Sequence, residues 1–101
     1  MHKNNQDETN ERLAIVQEEM AEAISMISKA ERHGMNSSHP DYNNIPNREL
    51  IAMEIGHSLA AIDMMCAAND IERADVEKAR RDKLMKLKRF THYQDWGRLQ
   101  L

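Results

Sequence analysis

Between Asn10 and His33 the chain has neither glycine nor proline, and apolar side chains recur there at Leu13, Val16, Met20, Ile24 and Ile27. Steps of three and four residues mark one face of an α-helix. At about 1.5 Å per residue the segment is a rod of roughly 35 Å. A rod that long in a chain of 101 residues leaves room for little except further helices laid beside it. Gly34 supplies the left-handed terminator this helix needs, and Asp7 or Thr9 is placed to cap its start.

The remaining segments fit the same plan. Met1 to Glu8 is polar and aperiodic and reads as a frayed tail. Met35 to Pro46, with Ser-Ser-His-Pro-Asp-Tyr and Asn-Asn-Ile-Pro, is a cluster of turn formers and reads as a loop. Asn47 is expected to cap a second helix from Arg48 to Ala68, which Asn69-Asp70 ends while capping a third from Ile71 to Phe90. Val76, Leu84, Leu87 and Phe90 form the third stripe, and Arg80 and Lys83 fall inside it, which aims two basic groups toward the bundle interior. Residues 94–101 form a second tail, in which Trp96, Leu99 and Leu101 alternate with polar residues and Gly97 interrupts any helix. With three glycines, two prolines and few aromatics, the expected fold is all-α, a single domain over 1–101 built as an antiparallel helical bundle.

The formal net charge of -3 argues against a general nucleic-acid binder, and no nucleic-acid partner is expected. The charge is uneven, since seven of the fourteen basic residues lie between Lys78 and Arg89. Cys66 is the only cysteine, so it forms no intrachain disulfide and reads as a packed thiol. Nothing at the amino terminus resembles a secretory signal, which points to a cytoplasmic protein. The most apolar run, Leu59 to Ala68, is short and carries Asp63, so no bilayer-spanning segment is expected.

Two acidic patches stand out against this plan. At about 100° per residue, Glu19 falls within the apolar arc of Ile15, Val16, Met20, Ala23, Met26 and Ile27. Glu54 likewise falls among Leu50, Ile51, Ile55, Leu59, Ile62 and Met65. Three residues on, Glu22 and His57 stand at the edge of each arc. A carboxylate on a buried face must be paired or loaded with a cation. Glu19, Glu22 and Glu54 converging from two antiparallel helices would form the oxygen-rich environment that Mg²⁺ prefers, with Arg80 and Lys83 suited to the far end of a polyphosphate. The bland alternative has those two bases neutralising Glu19 and Glu54 with no metal at all.

Glu18-Glu19-x-x-Glu22 followed by Glu54-Ile55-Gly56-His57 resembles the paired acidic motifs of the MazG-like all-α nucleoside triphosphate pyrophosphohydrolases. The likeness runs from Glu11 to Gln94, through the Ser-His-Pro-Asp loop and Lys78-Ala79-Arg80-Arg81-Asp82-Lys83-Leu84, and is similar to small bacteriophage members of that superfamily. The resemblance implies a bundle completed by oligomerisation, as a homodimer or homotetramer, that hydrolyses a nucleoside triphosphate to monophosphate and pyrophosphate. It implies Glu19, Glu22 and Glu54 as Mg²⁺ ligands, with Glu18 assisting them. The family's fourth acidic position is normally Asp and here is His57. Imidazole there disfavours Mg²⁺ and is tolerable to Mn²⁺, Ni²⁺ or Zn²⁺. Three functions are therefore carried forward: the hydrolase, a non-catalytic nucleotide-binding or sequestering relative, and a helical adaptor without a metal site.

Overall fold

The computed structural model describes residues 5–99 and is all-helical over them: α1 (Asn5–His33), α2 (Asn47–Ala67) and α3 (Arg73–Phe90), with 3-10 turns at Pro40–Tyr42 and Trp96–Arg98. The chain falls into two compact units, Met1–Asp70 and Ile71–Leu101. Of the expected amino-terminal tail, residues 1–4 lie outside the described residues and the rest is helix, so α1 begins five residues earlier than its apolar period. Asp7 and Glu8 lie in its first turn, where negative charge favours the helix macrodipole, so neither Asp7 nor Thr9 is a cap. Leu101 lies outside the described residues.

In the first unit α1 and α2 form an antiparallel hairpin. Arg12 meets Asp70, Glu19 meets His57, and Gly34 meets Asn47, three levels along one pair of helices. Gly34 ends α1 at φ 99, its N–H donating to Ala30 O at 2.7 Å, as a left-handed C-terminal motif requires. Asn47 is not the cap of α2 but its first residue. It is buried, and its Nδ2 donates to Gly34 O at 2.8 Å. The loop supplies the remaining partners: Asn47 N donates to Ser37 O and Arg48 N to Met35 O, both at 2.9 Å. Asn69, at φ 61, closes α2 in a Schellman arrangement, with Asn69 N donating to Cys66 O and Asp70 N to Met65 O. Asp70 then turns back to α1 instead of capping α3, its Oδ1 accepting from Arg12 Nη2 at 2.8 Å and from Thr9 Oγ1 at 3.2 Å.

The hairpin core is thin: Ala23, Met26 and Ala30 of α1 against Leu50, Ala61 and Met65 of α2. The expected stripe on α1 is not the buried one, since Leu13, Met20, Ile24 and Ile27 are all exposed, Ile24 by 68%. The face that meets α2 lies roughly a quarter turn away and buries Ala23, Met26 and Ala30. α2 is apolar nearly all round, so its contact with α1 leaves Met53, Ile55 and Leu59 uncovered. By length and composition alone α2 is long and apolar enough to cross a membrane, contrary to the expectation from the run Leu59 to Ala68. That run omits the apolar residues of the first half of the helix, and Glu54 in the middle packs toward Glu19.

In the second unit α3 buries none of its residues. Arg80 and Lys83 are exposed, not aimed inward. Helical charge pairs at three and four residues account for part of this surface, Lys78 with Asp82 at 2.7 Å and Arg80 with Glu77 at 3.3 Å. Trp96 Nε1 donates to Thr91 Oγ1 at 2.9 Å and folds the tail onto the end of α3.

Candidate metal centre

The hairpin sets Glu19 of α1 opposite Glu54 and His57 of α2. His57 Nδ1 lies 3.7 Å from Glu19 Oε2 and 3.7 Å from Glu54 Oε2. These separations exceed a hydrogen bond. Glu19 Oε2 and Glu54 Oε2 are both buried and accept no hydrogen bond. One turn on, Ser58 is buried and folds its hydroxyl back to the backbone carbonyl of Glu54 at 3.2 Å. One ligand atom from each of Glu19, Glu54 and His57 lies within 4.8 Å of the others. Ligands on opposite sides of a single divalent ion stand about 4–5 Å apart, so the three atoms are spaced for one cation. His57 is half exposed while the acids are mostly covered, which leaves one side of the cluster open to a ligand.

Glu22 and Glu18 are exposed on the preceding face of α1. Glu22 does not bring an oxygen into the group of three, but it feels the group. Its carboxyl is raised above the ordinary range, first by the charge of Glu19, then by partial desolvation and by hydrogen bonding and charge from Glu54, with Glu18 adding least. The two carboxylates expected on apolar arcs, and His57 beside them, are brought together. Arg80 and Lys83 stand on α3 in the other unit, Arg80 bound to its helical neighbour Glu77.

Beside the cluster runs an open groove of about 430 Å³ lined by Ile15, Glu19, His57, Ala60, Ala61 and Met64. Sequence reasoning did not single out its floor. The available signal was Ala60-Ala61, two side chains without bulk one turn after His57.

No family model, curated protein or solved structure matches this chain. The chemistry of the site therefore rests on its own geometry. Two carboxylate oxygens withdrawn from water, facing each other and lacking donors, are what a cation stabilises and what an empty hydrophobic contact would not tolerate.

Proposed function

We propose that the chain is a divalent-cation-dependent nucleoside triphosphate pyrophosphohydrolase of the MazG-like kind, with Glu19 and Glu54 as the principal ligands. The observation that carries this reading is the pair of buried, donor-less oxygens Glu19 Oε2 and Glu54 Oε2 beside His57. When bound, Mg²⁺ or Mn²⁺ supplies charge that stabilises phosphoryl oxygens and lowers the pKa of a water. Glu22, whose carboxyl feels the charge of Glu19 and Glu54, would help to hold the cation, with Glu18 assisting. The groove beside the cluster offers the apolar side chains of Ile15, Ala60, Ala61 and Met64 to a base.

His57 favours a second reading, a protein that binds or sequesters a nucleotide without cleaving it. A neutral imidazole at this position contributes no anionic oxygen to a hard cation. The adaptor reading needs both acids paired, and the partner beside the two buried oxygens is His57, 3.7 Å from each and beyond hydrogen-bond reach. Incubation with a panel of nucleoside triphosphates and Mg²⁺ or Mn²⁺, followed by analysis of products and retained ligand, separates the three. Pyrophosphate release supports the hydrolase, intact retained nucleotide the sequestering protein, and neither the adaptor.

The same reading includes a homo-oligomer, a dimer or tetramer. Leu13, Met20, Ile24 and Ile27 lie along one exposed face of α1, an apolar strip that a partner subunit would cover.

A further inference from the structure

The end of the hairpin remote from the acids carries a second cleft, of about 460 Å³, between the last turns of α1 and the α1–α2 loop. Its lining includes Lys29, Arg32, His33, Ser38 and His39, with the Tyr42 ring as one wall. Residues 1–70 hold twelve acidic and only five basic side chains, and two of those five stand together here. Neither is neutralised. Lys29 Nζ bonds to the Tyr42 hydroxyl and lies 4.5 Å from the centre of its ring, while Arg32 Nη1 donates to Ser28 Oγ at 3.1 Å. Among the described residues neither has a carboxylate partner. The one acid in the lining, Asp41, is 82% exposed and stands 3.6 Å from His39 Nδ1.

Part of this charge answers the negative end of α1, where Arg32 and His33 occupy the last turn. Two carbonyls of the helix end already have donors of their own. Gly34 N already satisfies Ala30 O, and Ser37 Oγ donates to His33 O. Lys29 stands one turn earlier and answers no exposed carbonyl. The loop is held against the helix by Asn47 and Arg48, so the cationic groups are presented on a fixed wall. A cleft of this volume accepts more than a bare ion.

We propose that this cleft binds the phosphate group of a small phosphorylated molecule, with Lys29 and Arg32 supplying the charge and Ser38 and His39 further polar contacts. It is separate from the acidic cluster: Glu19 and Lys29 stand ten positions apart on α1, about 15 Å of helix, which is more than the three phosphates of one nucleotide span. The proposal does not rest on the metal-dependent reading.

The test is a titration of the full chain with inorganic phosphate in EDTA, at constant ionic strength set with sodium chloride and followed by amide NMR. The expected result is saturable shifts confined to the amides of residues 29–47. Arg32→Gln weakens binding about tenfold or more, and Asp41→Asn, which removes the only acid of the lining, tightens it several-fold. The gain in Asp41→Asn keeps the test decisive if Arg32→Gln perturbs the helix end. Shifts that do not saturate, or that spread equally over α3 and ignore both substitutions, overturn the site. Working without metal keeps the outcome independent of whether Glu19 and Glu54 hold a cation.

Discussion

Glu19 and Glu54 each keep an oxygen away from water with no donor to receive it, an arrangement that costs stability in the metal-free chain. Glu19→Gln and Glu54→Gln are each expected to abolish saturable Mn²⁺ binding in calorimetry while leaving the urea midpoint unchanged or raised, because a neutral isostere fits the same space. His57→Asp is expected to tighten Mg²⁺ by about tenfold, ~1.4 kcal/mol, and to raise Mg²⁺-dependent pyrophosphate release. A wild-type protein that turns over rapidly with Mg²⁺ and is inactivated by this substitution would place His57 in a working site. Glu22 gives the cluster a pH signature. Its folded carboxyl ionises above the ordinary value, so through that window the folded state holds more protons than the unfolded one, and stability falls as pH rises. Asp70 runs the opposite way. Its hydrogen bond from Arg12 holds it below the ordinary range, so its contribution is complete above the usual aspartate value and is lost as pH falls through the folded one. Urea titrations in EDTA from about pH 3 to pH 7 should lose the descending limb in Glu22→Gln and part of the acid limb in Asp70→Asn, the rest belonging to Asp82, which its hydrogen bond from Lys78 also holds below the ordinary range.

At the scale of the element, the hairpin is pinned where the loop returns to α1. Asn47→Ala removes a buried donor to Gly34 O and is expected to lower stability by about 1–2 kcal/mol in urea unfolding, more than the loss of an exposed cap. That role was not legible in the sequence, where Asn before an apolar run reads as a cap. The existence of three helices and the stop at Gly34 were legible, because uninterrupted periodicity and a glycine at its end have few other solutions. The start of α1 was not, since polar residues can extend a helix without any apolar period once Asp7 and Glu8 stand at its positive end. The buried face was misjudged for a different reason. α1 carries two apolar arcs, and period alone does not say that Ala23 and Ala30, not Ile24 and Ile27, meet the neighbour. Glu19 and Glu54 were legible as carboxylates drawn toward the hairpin interior, because a carboxylate amid apolar neighbours violates the pattern. The cationic cleft left no such trace, because it exists only once the loop folds back on α1.

On the scale of the whole molecule, the exposed strip on α1 is where the proposed self-association would act. Ile24→Lys is expected to weaken self-association at least tenfold in sedimentation velocity, shifting the population toward the 11.7 kDa species. Because Ile24 is exposed within the chain, the hairpin itself should keep its stability within about 0.5 kcal/mol. A wild-type chain sedimenting only as 11.7 kDa at micromolar concentration would remove the oligomer. The thinness of the core has a calorimetric consequence. Among the described residues no side chain has less than 2% of its surface exposed. A lone chain therefore hydrates little new hydrocarbon when it melts, and its heat-capacity increment should fall well short of the usual 12–15 cal/mol/K per residue, or ~1.2–1.5 kcal/mol/K per hundred. Its stability curve is then broad and shallow, changing little between refrigerator and body temperature, and it steepens toward the ordinary dome only as rising protein concentration closes the α1 strip.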